Sequence, residues 1–229
     1  VLVDGRHRAG GVDAVESELA ALAAERLRGL VAVHAAVLRV LGDVVVVPGP
    51  SYSGKSTWCA AALDAGHEVW SDEFALVDGD GLVRGWPRAL RLRTPTGAVR
   101  RDLGPTPSVG RDGVHAVVGV GARVGDRDGA RVSMVAAVAH GARLDVHELA
   151  ESAAITAVLS NTVCAQRRPD ESFAAAVRMV RGARCVGGTR GESGDAVRWL
   201  VEALSSPRPS HRSAPGDHPR GEGDGGRSR

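Results

Sequence analysis

The spacing of apolar residues changes several times along this chain, and each change predicts an element. Across residues 12–28, Val12, Val15, Leu19, Leu22 and Leu27 recur at helical intervals with charges between them. That spacing predicts an amphipathic helix packed on the edge of a domain. Residues 30–41 are apolar and β-branched apart from His34 and Arg39, and residues 44–47 are four valines in succession. Both stretches predict strands, the valine run one buried on both faces, with Gly42-Asp43 as a tight turn between them. Residues 57–63 form an alanine-rich helical run that Gly66 can close from the C′ position.

Residues 67–70 predict a short strand leading into Ser71-Asp72-Glu73, followed by strands at 74–77, 82–86 and 89–93. Residues 78–81 carry the Asp and Gly of a turn, and residues 94–113 the Pro, Gly and charge of an exposed loop. A β-hairpin is expected from 114–124 and 131–138 around the turn at 125–129. Further helices are expected at 145–164, starting near Leu144-Asp145, and at 169–181 with Asp170 as its cap. A strand at 183–186 and a helix at 194–204 complete the series. Strands in succession, with helices gathered toward the C-terminus, predict an α/β fold: a mixed, partly antiparallel sheet with flanking helices. No internal repeat is visible.

Composition narrows the class. With 229 residues and 43% hydrophobic content, the chain can build one core, placed here at residues 1–205. Residues 206–229 have almost nothing to bury and are expected to be a disordered tail. A net charge of +2, no block of basic residues and 3% aromatics argue against a nucleic-acid-binding surface. Three scattered cysteines without a C-x-x-C pair point to reduced thiols of the cytosol. No apolar run approaches the roughly 20 residues of a membrane span, and residues 1–11 lack the apolar centre of a signal peptide. A cytoplasmic protein is expected.

The chemistry concentrates after the valine strand. Gly49-Pro50-Ser51-Tyr52-Ser53-Gly54-Lys55-Ser56 fits G-x-x-x-x-G-K-[ST] at every defined position, and Thr57 opens the helical run behind it. Strand, glycine loop and helix thus occur in the order a phosphate-binding loop needs. Backbone N–H groups of such a loop form an anion nest, and the helix adds its positive dipole end. Lys55 would place an ammonium on the β/γ phosphates, and the Ser56 hydroxyl can ligate Mg²⁺. Lys55 is also the only lysine in a chain whose other basic residues are all arginine or histidine.

A phosphoryl transferase needs more than the loop. Phosphoryl transfer rests on positioning and charge neutralisation, plus a group that accepts the nucleophile's proton. Asp72 and Glu73 end the strand after the P-loop helix, which in a parallel pair would lie beside the loop. One could hold Mg²⁺ and the other act as general base; on spacing alone they could equally be solvated turn acids. His34 interrupts its apolar strand, and such a histidine can be a structural residue or a catalytic one.

These segments together resemble the catalytic core of the HPr kinase/phosphorylase family. His34-Ala-Ala-Val-Leu-Arg-Val-Leu-Gly42 resembles the family's His-Gly-Val-Leu-Val-Asp-Ile-Tyr-Gly. Gly66-His-Glu-Val-Trp-Ser-Asp72-Glu73 resembles its Arg-Gly-His-Arg-Leu-Val-Ala-Asp-Asp. The histidine-to-lysine and lysine-to-acid spacings match without gaps, over residues 30–77. The resemblance implies a P-loop kinase core of the HPr-kinase/PEP-carboxykinase-like kind, limited to the family's catalytic domain. It implies a bacterial, ATP- and Mg²⁺-dependent kinase acting on a Ser hydroxyl of a protein or peptide. The acceptor would be an HPr-like phosphorelay protein or the precursor of a modified peptide. His34, Lys55, Asp72 and Glu73 would be catalytic, residues 49–57 would hold the nucleotide, and Ser56 and Asp72 the metal. A homo-oligomer would be in keeping with the family. Glu73 stands where the family has its proton-accepting aspartate.

Two other readings compete: a small-molecule kinase with residues 94–113 as an arginine-bearing lid, and an ATP-binding regulatory module without transfer activity. For the tail, the composition makes a direct prediction. A chain ending at Ser205 should melt at the temperature of the full chain, because residues 206–229 bury little. A large drop in a calorimetric or circular-dichroism melt would show instead that the tail docks on the body.

Overall fold

The computed structural model describes residues 8–51, 53–86, 90–93, 108–110, 113–118 and 129–206. Helix α1 (Arg8–Arg26) leads into β1 (Leu30–Val40) and β2 (Asp43–Pro48), an antiparallel hairpin in which Val40 faces Asp43. The turn consists of Leu41 and Gly42, with φ of 53° and 91°, one residue earlier than Gly42-Asp43. Two successive positive φ values make the type I′ turn, whose twist suits the strands it joins. Helix α2 (Lys55–Asp64) follows the glycine loop and closes as expected, with Gly66 at φ 82° just beyond its cap Ala65.

Strands β3 (Glu68–Ser71) and β4 (Phe74–Asp78) both run antiparallel to β1, along its residues 37–39 and 30–34 respectively. They form one interrupted strand on the same edge of β1, bulged where the register shifts between Val37 and Leu38. The Ala35 amide spans the interruption, donating to the Glu73 carbonyl at 3.1 Å. Strand β5 (Val83–Gly85) pairs with β4. A small second sheet has β8 (Gly113–Val118) between β6 (Leu90–Arg93) and β7 (Ser108–Gly110). The remaining elements are β9 (Val132–Ala139), β10 (Leu144–Glu148), α3 (Glu151–Ser160), α4 (Pro169–Val180), β11 (Arg184–Arg190) and α5 (Ser193–Ser205).

The result is an α/β fold in which, among the described residues, five helices accompany an eight-stranded mixed sheet. Its order is β10-β11-β9-β2-β1-β4-β5, with β3 beside β1. β2, β9 and β11 are mutually parallel, whereas β1 runs against β2. Strand alternation assigns the two faces. Ala36, Leu38 and Val40 of β1 join Val45 and Val47 of β2 against Trp58 and Cys59 of α2 and Val197 and Leu200 of α5. Val31, Val33, Ala35 and Val37 join Val44 and Val46 against Ala154 and Val158 of α3 and Ala176 and Met179 of α4. The valine run is therefore buried on both sides, as its sequence predicts. No helix among the described residues is long and apolar enough to cross a membrane.

Four expectations are corrected. The helix expected over 145–164 is β10 followed by the shorter α3; Leu-Asp-Val-His-Glu is too exposed on both faces to show the alternation of a half-buried strand. Residues 114–124 and 131–138 do not pair as a hairpin. β8 belongs to the small sheet, while the largely buried β9 lies between β2 and β11. Residues 119–128 lie outside the described residues, as does most of the loop at 94–113, of which 108–110 is β7. Helix α4 has Arg168 as its N-cap and Pro169 next, so Asp170 lies in the first turn and does not cap it.

The fourth correction concerns α1. Ala20 and Ala24 face Ala32, Phe74 and Leu76, while Leu19 is 60% exposed and Val15 and Leu22 are exposed too. Phe74 fills the space between helix and sheet, and small residues allow the helix its approach. A stability prediction follows from the hairpin. Leu41 holds a left-handed conformation that costs a non-glycine residue roughly 1–2 kcal/mol, and Asn-Gly is the preferred type I′ pair. Leu41→Asn should raise the melting temperature by a few degrees, on the order of 1 kcal/mol, and a lowered melting temperature would contradict the turn assignment.

Candidate functional site

The hairpin register builds the first half of the site. Ala35 faces Pro48, so His34 lies beside Gly49, and the Gly49 amide donates to the His34 carbonyl at 3.1 Å. From Gly49 the chain turns through Ser53, whose amide donates to the Pro50 carbonyl at 3.3 Å, to Gly54 at φ 86°. That left-handed residue lets α2 begin at Lys55, and the Trp58 amide closes the first helical bond onto the Gly54 carbonyl at 3.0 Å. A Cβ on Gly49 would come within 2.8 Å of Ser53 Oγ, so a larger residue here would force that side chain to move.

Lys55 turns back into its own loop. Its buried Nζ donates to the carbonyls of Gly49 at 2.8 Å and Pro50 at 2.7 Å, and lies 3.2 Å from His34 Nδ1. His34 Nδ1 is itself 2.7 Å from the Gly49 carbonyl. A carbonyl oxygen only accepts, so Nδ1 carries the hydrogen of that bond and the Gly49 carbonyl receives both the imidazole and the Lys55 ammonium. His34 Nε2 then points toward Glu73, 4.0 Å from Oε1. The ring also makes an edge-on contact with Phe74, and the backbone is held by the His34 amide, which donates to the Asn161 carbonyl at 2.7 Å.

The acids arrive from the other edge of β1. β3 runs in the same direction as β2, but β1 stands between them, so the expected adjacent parallel pair does not occur. The acid pair nonetheless reaches the loop from the interruption between β3 and β4. Ser71 Oγ accepts from the amides of Glu73 and Phe74, both at 3.1 Å, and fixes the turn. Buried Asp72 accepts from Ser56 Oγ through Oδ2 at 2.6 Å. Asp72 and Glu73 are thus drawn into the loop's surroundings and are not solvated turn acids.

His34, Lys55, Ser56, Asp72 and Glu73 converge, whereas Thr57 is exposed and lies outside this network. Gly49, Pro50, Ser51, Ser53 and Gly54 form the loop, and Tyr52 lies outside the described residues. Ser71 and Arg190 are the residues that sequence reasoning missed. Ser71 is legible as the residue before the acid pair, but Arg190 carries no local signal. It ends β11, and its Nη2 lies 3.5 Å from the Gly54 carbonyl.

The donor set fits a magnesium ion held jointly with phosphates. Such ions retain several waters and take one or two protein oxygens, which here would be Asp72 Oδ2 and Ser56 Oγ, already joined by a hydrogen bond. Among the described residues no group of three His, Cys, Asp or Glu side chains could hold a metal unaided.

Burial pushes the Lys55 ammonium down to about 8 from its ordinary 10.5, against the opposing pull of Glu73, Asp72 and Cys59. Burial likewise holds the Cys59 thiol well above its usual range, with Asp72 adding to the effect. For Lys55 the sign of the linkage is definite. A bound polyphosphate favours the ammonium, so affinity follows the charged fraction of Lys55 in the free protein. Mg·ATP affinity should be level from about pH 6 to about 7, then fall as pH rises through about 8, approaching tenfold per unit. Lys55→Ala should lose both the affinity and the pH step while remaining folded. Isothermal titration across pH checks both, and equal affinity in wild type and Lys55→Ala would overturn the P-loop assignment.

No model of a known protein family matches this chain and no curated protein matches it, so its chemistry is read from these residues.

Proposed function

We propose that this chain is an ATP-dependent kinase with an HPr-kinase-like P-loop core, transferring the γ-phosphate to a Ser hydroxyl of a protein or peptide. The observation that carries the reading is the convergence of Lys55, Ser56 and Asp72 with His34 and Glu73 around one loop. A nucleotide-holding module needs the first three. The added pair, a carboxylate set against a histidine, is what an acceptor hydroxyl requires. The mixed sheet, with an antiparallel strand beside the P-loop strand, also accords with the resemblance over residues 30–77.

Each group has a role in this reading. The loop amides, the α2 N-terminus and Lys55 hold the phosphate chain. Lys55 exchanges its bonds to the Gly49 and Pro50 carbonyls for phosphate oxygens. Bound through Asp72 and Ser56, Mg²⁺ would neutralise charge on the β- and γ-phosphates. Glu73 accepts the serine proton as the serine oxygen–phosphorus bond forms. The bond between the γ-phosphorus and the β–γ bridging oxygen breaks, and its electron pair leaves with ADP. His34, bonded to Gly49 on one side and facing Glu73 on the other, orients that carboxylate.

A positioned general base contributes about 10²–10⁴ in rate. Glu73→Gln should lose about that factor with ATP affinity nearly unchanged, and Asp72→Asn should raise the Mg²⁺ concentration needed for half-maximal rate. Phosphopeptide mass spectrometry with a Ser-bearing candidate acceptor, alongside ADP release, measures both. ATP binding by wild type without phosphorylation of any protein, peptide or metabolite would replace this reading with a binding module. Phosphorylation of a metabolite alone would replace it with a small-molecule kinase. Full activity in both variants would remove the acid pair from the mechanism.

A further inference from the structure

The three parallel strands β2, β9 and β11 end on the same side of the sheet, where open α/β sheets take their ligands. Two cationic side chains reach that end from far apart in the chain: Lys55, just after β2, and Arg190, the last residue of β11. Arg190 is only 5% exposed. Its Nη1 donates to the Gly191 carbonyl at 3.0 Å and to Ser193 Oγ at 2.8 Å. Its Nη2 has the Gly54 carbonyl at 3.5 Å, an oxygen that already accepts the Trp58 amide.

That is an unusual setting for a guanidinium. A buried charge is normally matched by a carboxylate or another anion, because losing its hydration is costly. Among the described residues Arg190 forms no ion pair; its bonds go to two carbonyls and a hydroxyl. Burial pulls it below its ordinary range, and Glu192 offsets only part of that. The guanidinium also lies against Gly54, where a Cβ would overlap Nη2. Both the positive φ of Gly54 and the space it leaves favour glycine, so loop and arginine are fitted to each other.

We propose that Arg190 is a second phosphate-binding cation of the P-loop, with Nη2 leaving the Gly54 carbonyl for an oxygen of the bound polyphosphate chain. The inference rests on the P-loop reading above and extends it to a residue 136 positions away from Gly54. Nη1 keeps its bonds to Gly191 and Ser193, so the planar fork turns only its weakly held edge toward the ligand. The alternative is a brace that fixes the β11–α5 junction to the loop and never touches a ligand.

Isothermal titration with Mg·ATP, Mg·ADP and Mg·pyrophosphate, on wild type, Arg190→Gln and Arg190→Lys, separates the two. Arg190→Gln should weaken all three about 10- to 100-fold, with Arg190→Lys recovering part of the loss. The pyrophosphate arm tests contact with phosphate as opposed to the nucleoside. Loss for ATP and ADP without loss for pyrophosphate would overturn the proposal. So would wild-type affinity in a folded Arg190→Gln whose melting temperature alone has dropped, which is what a brace predicts. In wild type itself, the guanidinium ¹⁵N–¹H resonance of Arg190 should shift on adding Mg·pyrophosphate, and an unmoved resonance overturns the proposal even if the variants fail to fold. Absence of all binding by wild type would overturn the P-loop reading and this inference together. Binding by wild type that survives Arg190→Gln undiminished would overturn this inference alone.

Discussion

Strand β1 is hydrogen-bonded along both edges, and the site depends on that double pairing. On one edge it holds β2 and so fixes where the glycine loop starts; on the other it holds β3 and β4 and so fixes the acid turn between them. His34 sits within β1, level with both. A slip of one residue on either edge would turn every inward side chain outward. It would also take His34 from Gly49 or Glu73 out of its reach. The bulge at Trp70, opposite Val37 and Leu38, is the local adjustment that keeps both registers compatible. Between the bulge and β4, Asp72 accepts from Ser56.

The electrostatics of the loop are arranged around a lysine that is ill at ease. Two carbonyls satisfy Nζ, yet burial outweighs the attraction of Asp72, Glu73 and Cys59 and draws the ammonium down to about 8. A cation held by neutral dipoles in a buried loop gains more from a polyanion than an exposed, hydrated one would. On the proposed function, that same burial would favour exchange of the carbonyls for a phosphate chain. The surrounding core supplies the rigidity for this, since α2 is anchored by buried Trp58 and Cys59 against the sheet.

Some of this is written locally and some is not. The loop at 49–56 is legible because all its parts are contiguous, and the doubly buried valine strand because both its faces demand apolar residues. His34 and the acid pair are legible only as spacing; what brings them together is the antiparallel course of β1 and the interrupted β3–β4 edge. β10 escaped notice because an edge strand exposed on both faces shows no period. The inward face of α1 was misjudged because close approach beside Phe74 selects Ala20 and Ala24 over the larger Leu19 and Leu22. Arg190 was illegible for a different reason. Nothing beside it in sequence marks it, and it meets Gly54 only because β11 lies parallel to β9 and β9 to β2.

The division between the two cations follows from their shapes. In a chain that uses arginine at every other strongly basic position, one lysine at residue 55 marks a place where a guanidinium does not serve. The Gly49 and Pro50 carbonyls lie 2.8 and 2.7 Å from one nitrogen, with His34 Nδ1 at 3.2 Å. Those two carbonyls converging on one nitrogen beside the imidazole suit a compact ammonium better than a planar fork. At residue 190 the demands are reversed. Gly191, Ser193 and Gly54 present acceptors at separate points, and a rigid guanidinium can address them from two nitrogens at once. On the proposed reading, the lysine would move from loop to ligand as a whole, whereas the arginine would turn one edge toward the ligand and leave the other fixed.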